Sequence, residues 1–190
     1  MTLKYDADER LSGKRVLVTG ASNETGPHVA RAFAKMGARL ALTYHSDRDA
    51  ADKVRQECLD LGAAEAHVFP LDLLDPAQCD ALAGSVCKAL GGLDVFVAVA
   101  GAGGSYEPLL RCGTKTVHDA LQGQVLGNLA IARDAGLKMP QDGSGRILFV
   151  SATSCYKNHH ASYGFAKATL NELTRFLALE MAGRKVTVNT

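Results

Sequence analysis

The sequence has no tryptophan, no block of one charge, and no apolar stretch near the roughly 18 residues needed to cross a membrane. Each absence removes a class of function. Twenty-one lysines and arginines nearly cancel twenty aspartates and glutamates, and the two signs are interspersed, so nothing marks a nucleic-acid or anionic-membrane footprint. Cys58, Cys79, Cys87, Cys112 and Cys155 are odd in number, lack CxxC spacing and mostly fall in helical patterns. They read as reduced packing residues rather than a disulfide or zinc framework. His159 and His160, with Cys155 upstream, match no standard metal spacing either, so no metal is expected and the pair is placed in a loop beside the substrate opening. The opening "MTLKYDADER" mixes both charges and lacks the apolar centre of a signal peptide, which predicts a cytoplasmic chain. No repeat, linker or low-complexity segment is present. These exclusions leave small-molecule chemistry.

What is present is alternation. The 190 residues, 47% of them apolar, are enough for one domain over 1–190 that buries about 70% of its unfolded surface. Apolar runs ("RVLVTG", "RLALTY", "AHVFPLD", "LDVFVAVAG") alternate with helical patterns ("PHVARAFAKMG", "RDAADKVRQECLDLG", "PAQCDALAGSVCKALGG"). The third helix is marked by Asp75 as cap, Pro76 in its first turn, a Leu82, Val86 and Leu90 face, and a Gly91-Gly92 stop. Residues 104–141 hold a long helical pattern interrupted by Gly123, Gly127 and Gly136. "GRILFVSA" predicts a fifth strand, "ASYGFAKATLNELTRFLALEMAG" a helix with Leu170, Leu173 and Leu177 on its buried stripe, and "KVTVNT" a sixth strand. Strands apolar on both faces predict an α/β fold, a Rossmann-like doubly wound parallel sheet in the order 3-2-1-4-5-6 with helices on both faces.

Two local patterns carry chemistry. In "VLVTGASNETG" the turn after the first strand brings backbone N–H groups and a helix N-terminus to one point, where a phosphate or pyrophosphate binds; Thr19, Gly20 and Gly26 suit that task. Tyr163 and Lys167, four apart, share one face of the helix after the fifth strand, near the carboxyl ends of the strands. An ammonium beside a phenol favours phenolate, so Tyr163 is expected to exchange a proton with a carbonyl or alcohol oxygen near neutral pH.

In their order, these motifs resemble the classical short-chain dehydrogenases/reductases from Gly13 to Asn189. "TGASNETG" is similar to that family's TGxxxGxG, "AVAG" at 98–101 occupies its NNAG position, Asp72 in "FPLDLLD" matches an Asp placed near the adenine, and "YGFAK" is its YxxxK. The resemblance implies a nicotinamide cofactor held by Thr19, Gly20, Ser22, Asn23, Gly26, Asp72, Ala100, Gly101 and Lys167. It also implies catalysis by Tyr163 and Lys167, with Gln124 in place of an active-site Asn. The usual serine position falls on Ala152, leaving Ser151, with Thr153 and Ser154, as substitutes. NAD-users in the family place an acid at the end of the second strand; here Tyr44, His45, Ser46 and Arg48 stand there, which favours NADP(H) over NAD(H).

The departures are equally specific. Glu24 replaces the middle glycine of the loop, and Ala98 and Val99 replace two asparagines. The loop's "NE" is similar to divergent enoyl-acyl carrier protein reductases, which also lack the standard glycine. The chain stops at Thr190, where family members continue into a substrate-covering segment, so a fragment or an open pocket is expected. The leading expectation is an NADP(H)-dependent oxidoreductase interconverting a carbonyl and an alcohol on a small organic substrate. The alternatives are a weak or inactive nucleotide-binding or assembly protein, and a non-redox enzyme reusing the pocket. The helices at 116–136 and 161–183 are those that family members pair across a two-fold axis, so a homodimer or homotetramer is expected.

Overall fold

The computed structural model describes residues 11–22, 24–156 and 161–190; Asn23, His159 and His160 lie outside the described residues. Within it the apolar runs become strands β1 (Arg15–Val18), β2 (Arg39–Tyr44), β3 (Glu65–Pro70), β4 (Val95–Ala98), β5 (Arg146–Phe149) and β6 (Thr187–Asn189). They pair in parallel in the expected order, β3-β2-β1-β4-β5-β6. Helices α1 (Gly26–Ala34), α2 (Arg48–Asp60), α3 (Pro76–Leu90), α4 (Thr114–Leu121), α5 (Gly127–Lys138) and α6 (Ala161–Ala182) connect them.

Strand alternation divides the interior in two. Val16 and Val18 of β1 face the layer of α1 and α2 with Leu40, Leu42, Val95 and Val97. Leu17 faces the opposite layer with Phe96, Ile131, Phe149 and Leu170. β1 and β4 are therefore apolar on both faces. β5 differs: Ile147 and Phe149 are buried, while Arg146 and Leu148 are exposed on the other face. Cover on both sides thus holds at the centre of the sheet and ends toward β6.

Local chemistry sets the boundaries. Asp75 caps α3, its carboxylate accepting from the Ala77 and Gln78 amides, and Gly91 closes the helix at φ +73°. Such a cap contributes about 1 kcal/mol. The glycine-interrupted pattern resolves into α4 and α5 joined by one π turn over Gln122–Leu126, a widening common at functional sites. Cys58 and Cys79 are buried, and burial pushes both thiols up to about 11. Among the described residues no helix is long and apolar enough to cross a membrane.

Candidate active site

β1 and β4 are neighbours whose connections leave on opposite sides of the sheet, which opens a crevice beyond their carboxyl ends. Its first wall is made of backbone. Thr19 is fully buried; its amide donates to the Val97 carbonyl at 3.1 Å, and its Oγ1 accepts from the Ala100 amide at 3.1 Å. Gly20, at φ +78°, donates its amide to Thr43 Oγ1 at 3.1 Å, and the Ala21 amide donates to the Thr43 carbonyl at 2.8 Å. Gly26, the first residue of α1, is packed so closely that a methyl there would overlap the Gly20 carbonyl. Thr43 is a site residue the sequence reading missed. Its only signal is a hydroxyl at the end of an otherwise apolar strand, "LALTY".

Beside this loop lies a cleft of about 230 Å³ whose lining includes Ser22, Tyr44, His45, Asp72, Ala100 and Gly101. Asp72 is held by its own turn: Oδ1 accepts from the Leu74 amide at 2.8 Å, and the Asp72 amide donates to Gln78 Oε1 at 2.9 Å. His45 Nε2 lies 3.7 Å from Asp72 Oδ2. Two expected members stand apart. Ser46 is exposed outside the lining, and Arg48 starts α2 with its Nε donating to Asp52 Oδ2 at 3.4 Å. The intervening Asp47 spends its carboxylate on the Ala50 amide as the cap of α2. The donor set at the end of β2 is thus Tyr44 and His45.

A second cleft, of about 400 Å³, continues past the loop and is lined by Glu24, Thr25, Val99, Gly101, Gln124, Tyr163 and Lys167. Lys167 is 5% exposed; its Nζ donates to the Val150 carbonyl at 2.9 Å and sits 5.7 Å from the centre of the Tyr163 ring. Burial pulls its ammonium down to about 8. The Tyr163 phenol moves opposite to expectation, upward, first through burial and then through the phenol of Tyr106, whose ring meets it edge-on at 6.3 Å. The reason is electrostatic. The Lys167 ammonium, donating to the Val150 carbonyl and 5.7 Å from the ring centre, does not offset the water that burial removes from the phenolate.

Gln124 sits in the π turn, 4% exposed, with Nε2 donating to the Ala102 and Gly103 carbonyls at 3.2 and 3.4 Å. Its Oε1 is buried without a protein partner among the described residues. Ser151 does not join Tyr163. With Ala152 and Thr153 it lines a separate cleft of about 340 Å³ shared with Asn171 and Thr190, and its Oγ is buried and unpartnered. Among the described residues, then, neither Ser151 nor Thr153 lines the cleft of Tyr163 and Lys167, where a substitute for the catalytic serine is expected. Sequence reasoning also missed Ser162. Fully buried next to Tyr163, it accepts from the Ser105 amide at 2.8 Å and donates to the Ser105 carbonyl at 3.3 Å.

A loop whose backbone amides gather at a sheet's switch point, beside a Tyr-Lys pair, suits a nucleotide and a proton exchange, and comparison with known proteins gives the family. The family described as enoyl-(acyl carrier protein) reductase matches residues 20–190. An NADP-dependent mannitol dehydrogenase of Alternaria alternata is 32% identical over 176 residues, covering 90% of this chain and 66% of that protein. A short chain dehydrogenase from Burkholderia cenocepacia, solved in complex with NADP, superposes with TM-score 0.86 at 30% identity over 95% of this chain and 73% of its own. An NAD+-bound xylitol dehydrogenase superposes equally well, TM-score 0.86, at 26% identity over 95% of this chain and 69% of its own. The chain spans about two thirds of the length of the curated relatives it matches. From Gly20 to its last residue, in motif order and in strand order, it belongs to the short-chain dehydrogenase/reductase family.

Proposed function

We propose that the chain is an NADP(H)-dependent oxidoreductase that interconverts a carbonyl and an alcohol on a small, hydroxylated organic substrate. The observation that carries this reading is that Tyr163 and Lys167 line the cleft entered by the loop between β1 and α1. A bound nicotinamide would supply hydride exchange with the substrate carbon. The chain supplies the rest. Thr19, Gly20, Ser22 and Gly26, with Asn23, would hold the diphosphate; Asp72, Ala100 and Gly101 would flank the adenine side; Lys167 would reach the ribose. The donor chemistry of this wall fits such a group except at Glu24, whose carboxylate lines the same cleft.

Tyr163, held protonated well past neutrality, suits donation to a carbonyl oxygen more than abstraction from an alcohol at pH 7. Lys167, brought to about 8, is the nearby group that exchanges protons close to physiological pH. Tyr44 and His45 in place of an acid at the end of β2 support a 2′-phosphate, with Arg48 joining only by leaving Asp52. Among relatives, two mannitol dehydrogenases are named for NADP, one superposing structure holds NADP and another holds NAD+, so the preference is tested directly. With no tryptophan to compete, nucleotide fluorescence gives both affinities. NADPH is expected to bind about tenfold tighter than NADH; equal or reversed affinities overturn the preference.

A second reading, a nucleotide-binding protein with little turnover, is favoured by Glu24 in the cleft and Ser151 outside it. NADPH binding without oxidation across a carbonyl panel selects it. In either case a homodimer or homotetramer is supported by Phe165, Phe176 and Leu179, exposed along α6, and light scattering tests it.

A further inference from the structure

Lys167 is the one lysine or arginine among the described residues that is buried, and burial alone sets its pKa, with no carboxylate holding it charged. An ammonium so placed gives up its proton readily. At about 8 it is half amine at pH 8, whereas an ordinary lysine is under about 1% amine there. Cys58 and Cys79, nucleophiles buried elsewhere in the fold, are pushed the opposite way to about 11 and stay protonated. Of these three, only the amine is free to react at pH 8.

Position matters as much as proton affinity. Although Lys167 is 5% exposed, it lines the cleft of about 400 Å³, so a small molecule in that space meets it. The neutral amine can keep one N–H on the Val150 carbonyl, which fixes the side chain, and still has a lone pair to give. The Tyr163 ring, its centre 5.7 Å from Nζ, brings a phenol that burial keeps protonated. A nucleophile thus stands beside an acid. Glu24 is the other ionisable group lining the cleft among the described residues, and its carboxylate disfavours anions there. Narrow access and a negative wall select carbonyl compounds that are small and neutral.

We propose that Lys167 captures small neutral aldehydes as an imine, a reaction that needs no nucleotide and goes beyond the proposed oxidoreduction. The Nζ lone pair adds to the carbonyl carbon, the π electrons of C=O move to oxygen, and that oxygen takes the Tyr163 phenol proton. Nitrogen then loses a proton, which restores the phenol and leaves a carbinolamine. The phenol lends a second proton as the hydroxyl departs as water, and the iminium nitrogen returns it. One C=N bond replaces C=O, one water leaves, and nothing is oxidised or reduced.

The probe is propanal with sodium cyanoborohydride at pH 8, which reduces each imine to a stable propylamine that peptide mass mapping locates. In the nucleotide-free chain the initial rate at Lys167 is expected to exceed that at the exposed Lys53 and Lys88 by about tenfold or more. Equal or slower labelling of Lys167 overturns the proposal. Lys167→Arg should lose the fast phase alone, and survival of that phase overturns the assignment. Tyr163→Phe should slow labelling of Lys167 about tenfold and leave Lys53 and Lys88 unchanged; labelling at the parent's rate overturns the part given to the phenol. Glyoxylate, an anionic aldehyde, is expected to label Lys167 no faster than the exposed lysines, and a preference equal to that of propanal overturns the neutral class. None of these readouts uses NADPH, so the two readings fail separately: turnover without fast labelling ends this one, and fast labelling without turnover ends the oxidoreduction.

Discussion

The two halves of the crevice are built from different materials. In the half proposed to hold the nucleotide, position comes from the main chain and short side chains: Thr19, Gly20 and Thr43 are tied to one another's strands, and one Asp72 oxygen is spent on its own turn. In the half around Tyr163, proposed for acid/base chemistry, position comes from long polar side chains in costly surroundings. Lys167 is a buried ammonium, and Gln124 and Asn128 each bury an oxygen without a protein partner among the described residues. None of the buried unpartnered oxygens among the described residues belongs to the loop between β1 and α1. Binding framed by backbone is sturdy and unspecific about side chains, whereas proton chemistry needs groups held where water would not leave them.

The sharpest way to separate the halves is Tyr163→Phe. It removes one oxygen from the acid/base half and touches nothing in the nucleotide half. Turnover of a ketone should fall by about 10²–10⁴-fold, the usual cost of losing a general acid, while the fluorescence titration with NADPH is unchanged. Turnover equal to the parent's would show that the proton comes from elsewhere.

Lys167→Met tests whether the acid/base half carries a stability cost. The folded-state ammonium sits at about 8 against an ordinary 10.5, so between those values the unfolded chain binds more protons and stability rises with pH; below 8 the full cost is present. That cost is on the order of 3 kcal/mol, and losing the bond to Val150 returns about 1 kcal/mol. The variant should therefore be more stable than the parent by about 2 kcal/mol at pH 7, with the gain gone by pH 10.5. Urea denaturation at the two pH values measures it, and a variant less stable at pH 7 would mean that the ammonium is better solvated than its burial implies.

Glu24 lines the cleft of Tyr163 and Lys167 although it belongs to the loop between β1 and α1. A carboxylate about 4 Å from a phosphate would cost about 4 kcal/mol at an effective dielectric of 20. Glu24 is exposed, so solvent and salt remove most of that. Glu24→Gln should strengthen NADPH binding by about tenfold or less, more at low salt than at high. Unchanged affinity at low salt would place the carboxylate away from the diphosphate.

Legibility followed the same division. Strand order, the capped α3 and the tight glycine turn between β1 and α1 were readable because they rest on local periodicity and on glycine and cap chemistry that a sequence displays directly. The pairing of Tyr163 with Lys167 in one cleft was readable from spacing alone. What failed depended on where side chains end. Ser151 lies one residue from Ala152 in sequence, yet it faces a different cleft from Tyr163. Arg48 looked available in the string but is engaged along its own helix by Asp52. The direction of the Tyr163 shift depended on burial and on Tyr106, which is distant in sequence and carries no motif. The π turn was visible only as three glycines in a helix, whose reason is the backbone pressed against Gly123 and Gly127.

Tyr106 offers the finest cut within the acid/base half. It lies over Tyr163 from the segment that Gln124 holds, and it raises the Tyr163 phenol in two separable ways, by helping to cover it and by adding a second phenol nearby. Tyr106→Phe keeps the covering ring and removes the phenol; Tyr106→Ala removes both. Because burial is the larger cause, the first should lower the alkaline limb of alcohol oxidation less than the second does. Carbonyl reduction at pH 7 should hardly change in Tyr106→Phe, since Tyr163 stays protonated there. The pH profile of kcat/KM in the oxidative direction measures both. An alkaline limb that moves equally in the two variants would show that the Tyr106 ring gives no effective cover, and one that moves upward would mean that the second phenol stabilises the phenolate by donating to it.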